Sequence, residues 1–323
     1  MKLTIWSNTS LSESATRMLR EGLSDHTLVI AERTTTPGRS PVRHDDAPAD
    51  ADIVLGQPAV ESCLKHDRLK WVALTSAGYT RFDNPAFMEA FRERGSILTN
   101  MSSVFADPCA QHALAMILAF SRQLLPAQLD QINGRAWNYA ERRHGTMLLT
   151  GQKVLFLGYG AIGRRLAELL APLHVKLHAV RRQVRSERGL TVIPEEQLTA
   201  LLQEMDHVVN LLPENDSTRN YVNARRLAAF KPGAFFYNIG RGTTVDQAAL
   251  AEALHSGRLA GAYLDVTDPE PLPASHPLRE APNCHITPHI AGGRRDEYEA
   301  MVAHFLANLD AFRRGAEMID RIV

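Results

Sequence analysis

Arg241, Glu270 and His289 follow one another in the last third of the chain, each in a loop with its own signature. Arg241 lies in Asn238-Ile239-Gly240-Arg241-Gly242. Glu270 lies in Asp265-Val266-Thr267-Asp268-Pro269-Glu270-Pro271, and His289 in Thr287-Pro288-His289-Ile290-Ala291-Gly292-Gly293. Upstream stands Gly158-Tyr159-Gly160-Ala161-Ile162-Gly163. Hydride transfer to a 2-oxo acid needs residues of these types: the substrate carboxylate must be held, the carbonyl polarised, and its oxygen given a proton. Arginine is always charged, and its planar fork matches a carboxylate. Histidine titrates near neutral pH and can give or take a proton. A carboxylate beside it favours the imidazolium, raising its pKa and fixing its tautomer. Each residue alone has a plainer reading: an arginine in a tight turn, one of 13 histidines, a loop charge in a Pro-rich turn. The three settings together point to catalysis.

A Gly-x-Gly-x-x-Gly run is weak evidence by itself. Here an apolar strand pattern precedes it and a helical pattern follows, as a dinucleotide cradle requires. Gly158 is expected to make the tight turn, Gly160 to let backbone approach a pyrophosphate, and Gly163 to let helix and strand pack closely. Tyr159, Ala161 and Ile162 complete the loop, and the helix N-terminus offers free N–H groups to phosphate. Sites for NAD place an acid ~20 residues further on, against the ribose 2′-hydroxyl. That count falls at Val180-Arg181-Arg182, with Arg185 close behind, and no acid is found there. Arginine pairs with a 2′-phosphate, so Arg181 and Arg182 predict a preference for NADP(H), with NAD(H) usable. The plainer reading is a solvated basic loop.

The elements that must position these groups read as two α/β series. Residues 3–6, 26–30, 53–56, 71–75 and 97–100 are short apolar runs of β character, with helices over 12–21 and 85–94. Residues 34–52 read as a surface loop. A second series starts at Lys153, with strands over 154–157, 177–180, 208–212, 234–239, 261–265 and 284–287 and a helix over 164–170. Such alternation implies parallel sheets covered on both faces. Residues 106–120 are an apolar helical run. Residues 126–150 look foreign to either core and read as an arm packing on another subunit or as a surface excursion. Residues 294–314 carry apolar side chains at helical spacing. At 323 residues and 45% apolar content the chain can support two cores. Lysine plus arginine equals aspartate plus glutamate at 36 each, which argues against a nucleic-acid footprint. Cys63, Cys109 and Cys284 are far apart and lack metal spacing, so no metal is expected and a reducing cytoplasm fits. The start reads as a strand rather than a signal peptide, and the apolar stretch 113–120 is too short to span a bilayer.

With these motifs the chain resembles the D-isomer-specific 2-hydroxyacid dehydrogenase family, most clearly from Asn100 to Gly293. Further matching runs are Leu211-Leu212-Pro213, Lys231-Pro232-Gly233-Ala234-Phe235 and Leu259 through Glu270. The resemblance implies two Rossmann-like or flavodoxin-like domains with parallel sheets and a cleft between them. It implies a discontinuous substrate-binding domain, residues 1–102 plus 293–323, and an inserted NAD(P)-binding Rossmann domain, residues 103–292. The segment 126–150 becomes a dimerisation arm of a homodimer. It implies Arg241, Glu270 and His289 as catalytic residues, and substrate held by Arg241, His289 and backbone N–H groups of Ser76, Ala77 and Gly78. Leu212, Pro213, Ile239, Gly240, Asp265 and Gly292 would join the glycine loop, Arg241 and His289 around the cofactor, with Asp265 on the nicotinamide carboxamide. The glyoxylate/hydroxypyruvate reductase branch is the nearest in character, because arginine often replaces the ribose acid there. The expected reaction is reduction of a small 2-oxo acid to the D-2-hydroxy acid, and its reverse. The rival enzyme is a phosphoglycerate dehydrogenase, for whose regulatory domain the chain leaves no room after Val323. Formate dehydrogenase fits Glu270 poorly. The rival of another class is a dinucleotide-sensing scaffold with little turnover. Departures from the family pattern are Gln111 before His112, His174 in place of a glycine, Glu214-Asn215, and Arg279 where tryptophan is frequent.

Overall fold

The computed structural model describes residues 2–35, 46–181, 187 and 189–323. Arg182 and Arg185, singled out from the sequence, lie outside the described residues. The chain divides into two units, one of residues 1–105 and 293–323 and the other of residues 106–292.

The first unit holds a five-stranded sheet of β1 (Thr4–Thr9), β2 (Thr27–Thr35), β3 (Ile53–Gly56), β4 (Trp71–Leu74) and β5 (Ile97–Thr99), in the order β2-β1-β3-β4-β5. All four pairings are parallel. Every residue of β3 and β4 is buried, which is why both read as unbroken apolar runs rather than alternating ones. The edge strand β2 is mostly exposed and runs to Thr35, beyond the end expected from its apolar residues, because Thr35 pairs with Thr9 after a register shift. Helix α1 (Glu13–Gly22) starts at Ser12, whose hydroxyl accepts from the Ala15 N–H. A short helix α2 (Val60–Lys65) escaped the sequence reading, since no side chain caps it. Helix α3 (Pro85–Arg94) is capped by Asn84 and stopped by Gly95 at φ +66°. The final helix, numbered α11 (Glu297–Arg314), packs on this unit: Phe305 and Phe312 stack on Trp71 at 5.0 and 5.9 Å between ring centres. Beyond it, the Ile322 N–H donates to Leu98 O beside β5.

The second unit holds seven parallel strands: β6 (Lys153–Leu157), β7 (Lys176–Val180), β8 (Leu190–Ile193), β9 (His207–Asn210), β10 (Ala234–Asn238), β11 (Leu259–Leu264) and β12 (Cys284–Ile286), in the order β12-β11-β10-β9-β6-β7-β8. The edge strand β8 was not anticipated; only one of its four residues is buried, unlike the fully buried β3 and β4 of the same length. The strand expected over 208–212 ends at Asn210, which frees Leu211 and Leu212 for the loop beyond. Four helices connect strands here: α7 (Ala161–Leu170), α8 (Leu198–Leu202), α9 (Ala224–Ala229) and α10 (Gln247–His255). The strand order reverses at β6, which lies between β9 and β7, and that is where an open α/β sheet forms its crevice.

Helix α4 (Ser102–Ser121) is longer than the apolar stretch noted in the sequence. Among the described residues it is long and apolar enough to cross a membrane, but half of it is buried inside the protein. Its Phe120 packs on Phe235 and reaches so near Gly261 that an added Cβ there would lie 2.8 Å from the ring. Residues 126–150, expected to lie apart from the cores, contain two helices, α5 (Leu124–Gly134) and α6 (Tyr139–His144), with no buried residue in either. Trp137 is 90% exposed and Leu148 70%.

Candidate active site

The loops that leave the carboxyl edge of the second sheet carry most of the predicted site. The glycine loop leaves β6. Gly158 sits at φ +84°, a conformation L side chains rarely adopt, and a Cβ there would press on Leu212 at 3.3 Å. Gly163 lies against Tyr159 and Leu211, at 3.0 and 3.2 Å from an added Cβ, so α7 packs close on the strand edge. Among the described residues, no atom lies within 4 Å of a Cβ added at Gly160, and no side chain caps α7. An uncapped helix N-terminus of this kind, with open space at Gly160 among the described residues, fits a pyrophosphate.

At the end of β7, the Arg181 guanidinium sits over the Tyr159 ring, 5.7 Å from its centre. It also pairs with Glu187 at 3.4 Å. An acid that counting along the chain did not find therefore stands beside Arg181. Glu187 is brought back by an antiparallel bridge to Leu190, which no residue count can reveal.

The loop after β10 is held from beneath by three buried polar groups. Asn210 donates to the side-chain oxygens of Asn238 and Thr244 at 2.9 and 2.7 Å, and Asn238 and Thr244 donate to the Arg241 carbonyl at 3.1 and 2.6 Å. The Gly240 N–H donates to Asn238 Oδ1 at 3.1 Å. Arg241 is thus presented from a braced backbone, with its guanidinium donating to the Gly240 carbonyl at 2.7 Å. Asn210 and Thr244 were not singled out from the sequence; their importance comes from strand order. Gly242 lies so close to the next loop that a Cβ would fall 2.0 Å from the Thr267 carbonyl carbon.

The loops after β11 and β12 bring Glu270 and His289 together. Glu270 Oε1 accepts from the Thr267 N–H at 3.1 Å, and Oε2 meets His289 Nδ1 at 2.8 Å. Both side chains are about 40% exposed, so the pair is open to a reactant. Burial pushes the Glu270 carboxyl upward, but the hydrogen bond and charge of His289, the Thr267 N–H and the charge of Arg241 outweigh it, and its pKa lies below the usual value. His289 sits at φ +55°, and its N–H donates to the Asp265 carbonyl at 2.9 Å. Asp265 is buried and accepts from Thr287 Oγ1 at 2.6 Å and from the N–H groups of Ile290 and Ala291, both at 2.9 Å.

Ser76, Ala77 and Gly78 belong to the first unit, in the loop after β4. Ser76 Oγ donates to Gly78 O at 2.7 Å and accepts from Gln57 at 3.0 Å, and Asn100 donates to Ala77 O at 2.7 Å. These bonds occupy carbonyls and side chains. Two departures also find physical reasons. His174 takes φ +55°, the left-handed conformation that favours glycine. Arg279 ties down its own loop through the carbonyls of Leu272 and Pro273.

Residues 114–291 match the family described as D-isomer specific 2-hydroxyacid dehydrogenase, NAD binding domain. The chain is 32% identical to a glyoxylate reductase of Aeropyrum pernix over 256 residues, covering 77% of this chain and 74% of the relative. It is 31% identical over 277 residues to a mitochondrial formate dehydrogenase of rice, Oryza sativa subsp. japonica, covering 83% and 72%. Among solved structures, an NADPH-dependent glyoxylate/hydroxypyruvate reductase of Sinorhizobium meliloti, in complex with NADP and malonate, superimposes with a TM-score of 0.73 at 27% identity, covering 100% of this chain and 97% of that one. By the extent of the family match and the fold that carries it, the chain belongs to the D-isomer-specific 2-hydroxyacid dehydrogenases and is an oxidoreductase with a nicotinamide dinucleotide-binding domain.

Proposed function

We propose that this dehydrogenase reduces small 2-oxo acids, glyoxylate and hydroxypyruvate foremost, with a preference for NADP(H) and with NAD(H) usable. The observation that carries the reading is the 2.8 Å His289–Glu270 pair on the same sheet edge as Arg241. Bound at the glycine loop, the dinucleotide supplies the hydride. Arg241 holds the substrate carboxylate and polarises the carbonyl, and the Ser76, Ala77 and Gly78 N–H groups offer the acid further donors. Glu270 stays ionised and accepts the Nδ1–H hydrogen bond of the His289 imidazolium, so the Nε2 proton is the one that passes to the carbonyl oxygen, leaving a neutral imidazole. Leu212, Pro213, Ile239, Gly240 and Gly292 line the cofactor, and Asp265 keeps acceptor capacity for the carboxamide. The rice relative is named a formate dehydrogenase. Formate oxidation yields carbon dioxide with no oxygen to protonate, so it needs no His–carboxylate pair, and Glu270 argues for the 2-oxo acid.

Arg181 supports NADP(H): its guanidinium lies beyond β7, over a ring of the glycine loop, and a 2′-phosphate would compete with Glu187 for it. The S. meliloti relative, described as NADPH-dependent, agrees with it. The most exposed of the large apolar side chains cluster in residues 124–148 and support a homodimer formed through this arm. The three cysteines are unpaired, which fits a reducing compartment such as the cytoplasm.

Steady-state turnover tests the reading. Glyoxylate and hydroxypyruvate should be reduced, with kcat/KM at least about tenfold higher for NADPH than for NADH, roughly 1.4 kcal/mol in the transition state. A ketone without the carboxylate should be a poor substrate, since the guanidinium would then lack its partner. Equal use of the ketone would overturn the substrate class, and no turnover of any 2-oxo acid would favour a dinucleotide-sensing scaffold.

A further inference from the structure

Asp265 is the end point of a hydrogen-bond chain that begins on helix α4. Tyr263 and Asp265 are two residues apart on β11 and its extension, so their side chains share one face of the sheet. The β11–β12 register pairs Leu264 with Ile286, and the Thr287 N–H donates to Leu264 O at 3.0 Å, which sets Thr287 beside Asp265. His112 of α4 covers the same face, its ring 5.5 Å from that of Tyr263. His112 Nε2 meets Tyr263 Oη, Tyr263 Oη meets Thr287 Oγ1 at 2.5 Å, and Thr287 Oγ1 meets Asp265 Oδ1 at 2.6 Å.

The direction of this chain follows from its end. A carboxylate only accepts, so Thr287 must donate to Asp265. The Thr287 oxygen then receives the Tyr263 proton, and the Tyr263 oxygen receives the His112 Nε2 proton. The acceptor inventory of Asp265 is equally telling. A carboxylate has about four lone-pair sites. Thr287 and the Ile290 N–H occupy Oδ1, with Tyr263 Oη also within 3.5 Å of it, and the Ala291 N–H takes one site on Oδ2. Three of these bonds, those from Thr287, Ile290 and Ala291, hold the segment that carries His289.

We propose that His112, Tyr263 and Thr287 are positioning residues that orient the Asp265 carboxylate and, through its bonds to the Ile290 and Ala291 N–H groups, set the place of His289. The inference rests on the reading of His289 as proton donor, but its structural part can be measured without turnover. Thr287→Val keeps the shape of the side chain and removes the hydroxyl. The amides of Ile290 and Ala291 should then exchange with deuterium at least about fivefold faster, because their acceptor is no longer held in line. In the same variant kcat for glyoxylate should fall about tenfold, while KM for glyoxylate and Kd for NADPH stay within about twofold, as expected when the proton donor shifts and binding does not. Thr287→Ser should restore both. Tyr263→Phe should act in the same direction more weakly, and the double variant should cost less than the product of the single effects, since both sit in one chain.

Parent exchange rates at Ile290 and Ala291 in both Thr287→Val and Tyr263→Phe would overturn the inference. So would a loss that serine fails to rescue. If the parent enzyme reduces no 2-oxo acid, the proposed function falls, and the exchange measurement still decides the chain.

Discussion

Glu270 works on His289 through one hydrogen bond, and the environment of that carboxyl sets when the bond exists. Its pKa lies below the ordinary carboxylate value of ~4.3. A depressed pKa means the pair persists above the usual carboxylate range and is lost only as pH falls through the lowered value. Glu270→Gln should therefore slow reduction at all pH values and abolish the part of the acidic fall in rate that Glu270 titration causes. Single turnovers after a jump to between about pH 4 and pH 8 read this directly. An acidic limb identical to the parent's would remove Glu270 from its role. His289→Asn should lose about 10² to 10⁴ in kcat with Kd for NADPH nearly unchanged, the usual worth of a general acid.

At the scale of the element, two glycines in neighbouring loops make opposite demands. Gly160 has open space around it and an ordinary backbone conformation, φ −97°. Alanine should leave the melting temperature within about 2 °C, consistent with the small effects expected at unstrained sites. It should still weaken NADPH binding about tenfold or more, because the methyl group would occupy the approach to the phosphates. Gly242 is jammed against the Thr267 backbone, which cannot swing aside as a side chain could. Gly242→Ala should cost about 3 kcal/mol or more in a urea melt. Parent affinity in Gly160→Ala would show that α7 does not cradle the dinucleotide.

For the whole molecule, the arm is the part that neither hydrophobic core explains. Leu124, Ile132, Trp137, Tyr139 and Leu148 are all more than half exposed and lie within one short stretch of chain. Clustered apolar exposure of this kind marks an interface. Light scattering after size exclusion should give twice the mass of one chain. Ile132→Lys with Trp137→Lys should give a monomer, because lysine cannot be buried cheaply in an apolar contact. A parent protein that runs as a monomer at micromolar concentration would end the proposal.

The sequence by itself determined what depends on a few neighbouring residues. Apolar runs announced the buried parallel strands, and Gly158, Gly160 and Gly163 announced a βα turn, since strand burial and backbone conformation are local demands. Arg241, Glu270 and His289 were legible because each sits in a loop whose glycines and prolines mark it. Short elements such as α2 escaped, having too few residues for a period to show and stability drawn from packing, and β8 escaped because only one of its four residues is buried. Only the tertiary structure decided which side chains meet across the sheet. Glu187 meets Arg181 while bridged to Leu190, Asn210 meets Thr244 beneath the Arg241 loop through strand order, and Tyr263, Thr287 and His112 converge on Asp265 through ladder register and the placement of α4. Apart from the local Thr244–Arg241 bond, these contacts join residues 6 to 151 positions apart in the chain, and no local pattern encodes such pairings.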